Sequence, residues 1–247
     1  MNLVIPIASS SEFFSPEEYG YPKALIEIMG LPMIEHFIKN ITHGNSFKKI
    51  IFIVKQDDCD RFHLDNTLNL LCPIEPEIIK LRADTQGALC SVLLAVDYIN
   101  RDEPLLISND DQIFDPGIAD HLQRFGASDL DAACLTFSSV HPRWSYVKTN
   151  GDGLVIETAE KRPISKHAIA GVYWYKKGSD FVQSGMASIN HGSSVEGKYF
   201  LSPVFNEYVL SGKKVGHCTV PNEQYHTFYS PQKIEEYEFN LKRNQDK

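Results

Sequence analysis

The stretch Lys49-Ile50-Ile51-Phe52-Ile53-Val54 is apolar at every position after its lysine. A strand with one wet face alternates apolar and polar side chains. An unbroken β-branched and aromatic run therefore predicts a strand buried on both faces. Leu3-Val4-Ile5-Pro6-Ile7 and Pro104-Leu105-Leu106-Ile107-Ser108 read the same way, and Glu77-Ile78-Ile79-Lys80-Leu81 is a shorter strand. Helical stretches separate these runs. Leu31 to Ile41 carries Met33, Ile34, Phe37, Ile38 and Ile41 at helical spacing. A loop-rich helix is expected from about Asp57 to Leu71, and another from Thr85 to Ile99 with Gly87 near its start. Buried strands joined by helical crossovers predict an α/β fold, a mostly parallel sheet flanked by helices.

The second half follows a mixed pattern. Ala132 to Phe137 reads as a strand. Tyr146-Val147-Lys148 and Gly153-Leu154-Val155-Ile156-Glu157 flank the turn Asn150-Gly151-Asp152, which favours a hairpin. Ala170 to Tyr175 is a further strand, followed by a helix from about Ser179 to Ile189. Tyr199 to Leu210 looks helical, Lys214 to Val220 looks like a late strand, and Pro231 to about Lys242 is a charged helix.

The chain has 247 residues, enough for a full core, and no repeat or linker divides it, so a single domain over 1–247 is expected. Its 32 acidic and 24 basic residues leave a charge of −8, which argues against a nucleic-acid-binding surface but not against a local phosphate site. No apolar run approaches the roughly 20 residues that span a bilayer, so no membrane partner is expected. Met1-Asn2-Leu3-Val4-Ile5-Pro6 reads as an opening strand rather than a secretory leader. Cys59, Cys72, Cys90, Cys134 and Cys218 contain no C-x-x-C pair. They suggest neither a disulfide framework nor a zinc site, and a cytoplasmic chain with reduced thiols is expected. The histidines show no metal-ligand spacing and there is no Gly-x-Ser-x-Gly, so hydrolase and zinc readings are weak.

In an open parallel sheet, ligands gather at the carboxyl ends of the strands. After the first strand, Ala8-Ser9-Ser10-Ser11 can offer backbone N–H groups and hydroxyls to a phosphate, with Lys23 beside Pro22 as a point charge. The alternative is a polar surface loop with a solvated lysine, since the glycines of a phosphate loop are missing. After the Leu105–Ser108 strand, Asn109-Asp110-Asp111-Gln112 presents adjacent carboxylates that suit Mg²⁺, which takes one or two carboxylates plus phosphate oxygens. Its alternative is a turn or helix cap. In Asp84-Thr85-Gln86-Gly87-Ala88, Gln86 can pair with a base edge and Gly87 can let a ring approach; an N-cap with a tight helix contact is the plainer role. In Glu160-Lys161-Arg162-Pro163, Lys161 can reach a substrate phosphate with support from Arg162, or the run is a solvated charge cluster before a proline turn.

Taken together, these pieces resemble the nucleotidyltransferases that join a nucleoside triphosphate to a sugar phosphate and release pyrophosphate. Pro22-Lys23-Ala24-Leu25-Ile26-Glu27-Ile28-Met29-Gly30-Leu31-Pro32-Met33-Ile34-Glu35 matches the later part of that family's opening signature, Pro-Lys, an apolar strand and Gly-x-Pro-Met-Ile. The resemblance continues through Thr85-Gln86-Gly87-Ala88, Asn109 to Gln112, Glu160 to Pro163, Gly171 to Phe181 and Tyr199 to Glu207, so it covers most of the chain in order. It implies a Rossmann-like (GT-A-like) fold, with a nucleotide-binding half over about 1–130 and an acceptor-binding half over about 131–247. The chain departs from the family in its phosphate loop. Two glycines become Ser9 and Ser11, and the arginine that grips the triphosphate becomes Phe13. A phenyl ring cannot replace a guanidinium fork. The family's late Asp or Gly-Thr-Pro turn falls within Glu223-Gln224-Tyr225-His226-Thr227-Phe228-Tyr229-Ser230-Pro231, where Glu223 or His226 is the candidate ligand.

The resemblance implies an Mg²⁺-dependent enzyme, with Mn²⁺ as the alternative ion, in which the acceptor phosphate attacks the α-phosphorus. It assigns metal binding to Asp111, with Asp110 and Glu223 as weaker candidates. Catalysis falls to Lys23, Asp111 and Lys161. Nucleotide binding falls to Ile7, Ala8, Ser9, Ser10, Ser11, Lys23, Gln86, Gly87 and Asn109, and acceptor binding to Glu160, Lys161, Tyr199, Asn206 and Glu207. A pyrimidine nucleotide is preferred, CTP included. A sugar 1-phosphate, phosphocholine or a phospho-amino acid is the acceptor, with a role in capsule or lipopolysaccharide synthesis. A homo-oligomer is compatible with this reading. The rivals are a nucleotide-sugar-dependent glycosyltransferase, for which Asn109-Asp110-Asp111 lacks the Asp-x-Asp pattern, and an inactive nucleotide-binding relative, which Phe13 favours.

Overall fold

The computed structural model of the chain describes residues 1–8, 13–14 and 19–245. Strand β1 (Asn2–Pro6) precedes a 3-10 turn (Lys23–Leu25) and a short hairpin, β2 (Glu27–Ile28) and β3 (Leu31–Pro32), that opens into α1 (Met33–Thr42). Then come β4 (Lys49–Lys55), α2 (Gln56–Phe62), α3 (Leu64–Leu71), β5 (Glu77–Leu81), α4 (Ala88–Leu93), α5 (Val96–Ile99) and β6 (Leu105–Ser108). The remainder is β7 (Gln112–Phe114), α6 (Ala119–Ala127), β8 (Ala132–Ser138), β9 (Tyr146–Thr149), β10 (Val155–Ala159), β11 (His167–Tyr175), α7 (Gly178–Asn190), α8 (Val204–Leu210), β12 (Val215–Thr219), β13 (Tyr225–Thr227) and α9 (Pro231–Gln245).

The strands β5, β4, β1 and β6 lie side by side and run parallel; Leu3 pairs with Ile50 on one side and Leu106 on the other. β11 runs antiparallel to β6, β8 antiparallel to β11, and β12 parallel to β8. The β9–β10 hairpin joins the start of β11. The sheet is mixed and mostly parallel in its first half, as the apolar runs predict. From β1 the chain winds outward to β4 and β5, then returns to the opposite side of β1 as β6. The reversal makes the β1–β6 boundary a topological switch point, the place where such sheets bind ligands.

Both faces of the sheet are covered. Leu3, Ile5, Phe52 and Val54 pack with α1, α2, α3 and α6, while Val4, Ile51 and Ile53 pack with α4, α7 and α8. Ile34, Phe37, Ile38 and Ile41 are all buried on the inner face of α1. Each such side chain contributes about 1.5–3 kcal/mol by leaving water. That exceeds the roughly 0.7 kcal/mol spread of helix propensities among ordinary residues, so packing holds α1 in place. A third cluster of Phe14, Ile28, Met33, Ile113, Phe228 and Ile234 ties the β2–β3 hairpin to β7 and α9. Among the described residues no helix is long and apolar enough to cross a membrane.

Several element boundaries differ from the sequence expectation. The helix expected over 57–71 is two helices, because His63 adopts a left-handed φ of 53° between them. The 85–99 helix begins only at Ala88, after Gly87 at φ 112°, and breaks before Val96. Tyr199–Leu210 is helical only from Val204, since the Tyr199 backbone pairs with residues 86 and 89 and Pro203 sits at the helix start. Leu31–Pro32 pairs with Glu27–Ile28 rather than opening α1.

Candidate active site

The pairing of Val4 with Ile107 sets the carboxyl ends of β1 and β6 beside each other. Ile7 continues β1, its N–H donating to the Ile53 carbonyl at 2.8 Å, and Ala8 follows at the sheet end. Ser9, Ser10 and Ser11 lie outside the described residues. On the neighbouring strand, the Asn109 N–H donates to the Gly171 carbonyl at 2.9 Å, and the chain then turns through Asp110 and Asp111 into β7.

Lys23 enters this turn from the 3-10 turn that Pro22 starts. Its Nζ lies 3.1 Å from Asp110 Oδ1 and 3.1 Å from Asp111 Oδ2, so two separate sequence candidates form one ion cluster. The side chains are 13% (Lys23), 3% (Asp110) and 16% (Asp111) exposed. Burial opposes the charge on Lys23, but Asp110 and Asp111 outweigh it and hold the ammonium above the usual lysine range. Burial pushes the Asp110 carboxyl up, against the pull of Lys23. Asp110 Oδ2 is buried with no hydrogen-bond partner.

The turn is braced by residues that strand-end reasoning passed over. Buried Gln112 donates from Nε2 to Ser108 Oγ at 3.4 Å and accepts from the Tyr225 hydroxyl at 3.1 Å. Gly171 has φ 63°, and a Cβ there would stand 2.5 Å from Asn109 Nδ2 and 2.8 Å from Gln112 Oε1. Gln112 stood within the quoted motif, and Gly171 within a stretch that carried the family resemblance. Neither showed a local signal of this contact.

β13 runs antiparallel to β7, with Tyr225 opposite Phe114 and Thr227 opposite Gln112. The Phe228 N–H therefore donates to the Asp111 carbonyl at 2.7 Å. The late metal candidates lie apart from this contact. Glu223 is exposed in the 3-10 turn at the far end of the ladder, and His226 pairs with Asp115 at 3.0 Å. The residue following Phe228 beside Asp111 is Tyr229.

Two carboxylates with an unpartnered buried oxygen fit a hard cation that completes its shell with phosphate oxygens, as Mg²⁺ does. Mn²⁺ accepts the same oxygen donors. Among the described residues no group of three or more His, Cys, Asp or Glu gathers to hold an ion by itself. The pair suits an ion that arrives with a nucleotide.

Gln86 is exposed, and its carbonyl accepts the Tyr199 N–H at 2.7 Å, while the Leu89 N–H donates to the Tyr199 carbonyl at 3.1 Å. Gly87 lies between, where a Cβ would meet the Tyr199 carbonyl oxygen at 2.4 Å and its nitrogen at 2.7 Å. The close neighbour of Gly87 is thus backbone. Gly87→Ala meets both the left-handed φ and this contact, and about 3 kcal/mol of destabilisation is expected in chemical denaturation. An unchanged midpoint would contradict that contact.

Glu160 accepts from Ser145 Oγ and, at 2.8 Å, from Ser202 Oγ, and burial pushes its carboxyl up. Lys161, at φ 53°, turns its ammonium to Glu196 and lies 5.8 Å from the Phe200 ring centroid. Arg162 turns instead to Glu157 at 3.0 Å, so it does not support Lys161. Asn206 spends both ends of its amide on the Thr158 backbone, at 2.7 and 3.0 Å, holding the strand that leads to Glu160. Glu207 is buried, and its carboxylate pairs with His191 at 3.1 Å. Ser145 and Ser202 were not singled out in the sequence, because isolated serines carry no pattern.

The family model described as nucleotidyl transferase matches residues 17–221. A glucose-1-phosphate thymidylyltransferase of Mycobacterium tuberculosis is 21% identical over 217 residues, 86% of this chain and 72% of that protein. The crystal structure of a nucleoside-diphosphate-sugar pyrophosphorylase from Vibrio cholerae RC9 superposes with a TM-score of 0.84 at 20% identity, covering 95% of this chain and 98% of the other. The inositol-1-phosphate CTP transferase from T. maritima gives a TM-score of 0.73 at 15% identity, covering 94% and 90%.

Proposed function

The chain belongs to the nucleotidyl transferase family, and from that premise we propose that it transfers a nucleotidyl group from a pyrimidine nucleoside triphosphate to a phosphorylated acceptor. The observation that carries the reading is the Lys23–Asp110–Asp111 cluster at the β1–β6 switch point. The nucleotide lies against Ile7, Ala8, Ser9, Ser10 and Ser11, with Gln86 and Gly87 at the base and Asn109 toward the phosphates. CTP, UTP and dTTP are the candidates, in line with the thymidylyltransferase and CTP transferase among its relatives.

An acceptor phosphate oxygen bonds to the α-phosphorus while the bond from that phosphorus to the bridging oxygen breaks. Pyrophosphate leaves with the electron pair. The attacking phosphate is already anionic, so no general base is needed; the barrier is charge repulsion and alignment. Lys23 neutralises charge on the donor phosphates, and Lys161 exchanges Glu196 for the acceptor phosphate. Asp111 and Asp110 would hold Mg²⁺, which when bound would screen the phosphate charge. Glu160, already fixed by Ser145 and Ser202, accepts from an acceptor hydroxyl, and Tyr199 is a further candidate for the acceptor. A sugar or polyol phosphate offers such a hydroxyl, and activated sugars of this kind feed cell-surface polysaccharide synthesis.

Incubating the protein with Mg²⁺ and each of CTP, UTP, dTTP, GTP and ATP against a panel of sugar phosphates, phosphocholine and phospho-amino acids tests the reading. Pyrophosphate release that needs one pyrimidine nucleotide and one sugar or polyol phosphate is expected. Silence across the panel, with nucleotide binding retained, would overturn it.

A further inference from the structure

Arg143 sits in the loop between β8 and β9, on the edge of the site but outside every motif the sequence singled out. The loop is fixed locally: the Tyr146 hydroxyl donates to the His141 carbonyl at 2.5 Å, and the Trp144 N–H donates to the same carbonyl at 3.3 Å. The guanidinium carbon lies 3.9 Å from the ring centroid of Tyr229, 5.0 Å from that of Phe13 and 5.9 Å from that of Trp144. The rings brace one another, with Trp144 edge-on to Tyr229 at 5.6 Å and Phe13 edge-on to Tyr229 at 5.8 Å.

Three parts of the site meet at this cage. Phe13 comes from the loop after β1, and Tyr229 follows the backbone N–H bonded to Asp111. The Trp144 carbonyl accepts the Lys161 N–H at 3.1 Å. The neighbouring ammonium groups are engaged, Lys23 by Asp110 and Asp111 and Lys161 by Glu196. Arg143 makes no salt bridge among the described residues, and its Nε is buried without a hydrogen-bond partner. A guanidinium stacked on aromatic faces keeps its N–H edges available in one plane, the geometry that grips phosphate oxygens in pairs.

We infer that Arg143 grips the polyphosphate of the nucleotide, the part that leaves as pyrophosphate, and that Phe13, Tyr229 and Trp144 form its seat. The inference rests on the nucleotidyl-transfer reading above. It gives Phe13 a purpose: the aromatic ring at that position supports a guanidinium supplied by another loop.

Binding is measured by calorimetry with CTP, UTP, dTTP, the matching monophosphates and inorganic pyrophosphate, each with Mg²⁺. For the triphosphate that wild type binds, Arg143→Ala is expected to weaken affinity about 10- to 100-fold, and pyrophosphate affinity by a similar factor. Monophosphate affinity and the thermal unfolding midpoint should stay near wild type. Arg143→Lys should recover only part of the loss, because an ammonium neither forks nor stacks in the same way. Tyr229→Leu, which keeps the arginine but removes its closest seat, should weaken pyrophosphate binding in the same direction. Unchanged pyrophosphate and triphosphate affinity in a folded Arg143→Ala protein would overturn this inference alone. So would a loss confined to the KM of the phosphorylated acceptor. Failure of wild type to bind any nucleotide would overturn the functional reading and this inference with it.

Discussion

Asp111→Asn is expected to lower turnover on the order of 10³-fold, leaving the far-ultraviolet spectrum and the unfolding midpoint close to wild type. Asparagine has nearly the same shape, and its amide oxygen can still accept from Lys23 at the position the carboxylate holds 3.1 Å away. What disappears is one negative charge beside Asp110, and with it the hard, anionic oxygen pair that recruits a divalent cation. The loss should show as a much higher Mg²⁺ concentration for half-maximal rate and as weaker Mn²⁺ binding, read by electron paramagnetic resonance in the presence of nucleotide. Near-wild-type turnover at low Mg²⁺ would remove Asp111 from the metal site.

Lys23→Ala attacks the same cluster from the other side, and its main effect is on stability as well as rate. Removing one partner of a buried ion pair typically costs about 3–5 kcal/mol, because the remaining charge is left without compensation. Asp110 is 3% exposed and already has one unpartnered oxygen, so it has little access to water in exchange. The melting temperature should fall by roughly 10 °C at neutral pH. The pH dependence has a definite sign. In wild type the Lys23 pKa is raised above its unfolded value, so its contribution is complete below about pH 10.4 and is lost only as pH rises beyond that. In the variant, burial still pushes the Asp110 carboxyl above its unfolded value and the opposing pull of Lys23 is gone, so folding takes up protons. The deficit should therefore narrow as pH is lowered from 8 toward 5. Equal melting temperatures for the two proteins throughout that range would show that the cluster does not hold the fold.

The parallel half of the sheet was readable because burial on both faces writes itself into unbroken runs such as Ile50–Val54, and a helical face such as that of α1 repeats over several turns. The meeting of Lys23 with Asp110 and Asp111 could be anticipated from the strand-end rule and from the family resemblance. The pairing of β7 with β13 could not. Each spans three residues, too short for any periodicity, and their register depends on partners more than a hundred positions apart. That hidden register is why Tyr229 went unnoticed beside the site. Tyr199 looked helical for a related reason: its apolar neighbours fit a helix, while its backbone is bonded to residues 86 and 89. The Arg143 cage joins three loops, and nothing local to any of them specifies the other two.

The central claim is that the bond broken lies between the α- and β-phosphates and that the α-phosphate moves to the acceptor. Parallel reactions with α-³²P- and γ-³²P-labelled triphosphate, using the acceptor that supports pyrophosphate release, test it directly. The α label should appear in a nucleotidyl-acceptor product and the γ label only in pyrophosphate. Transfer of the γ label to the acceptor, or release of the α label as free monophosphate without an acceptor product, would contradict the account.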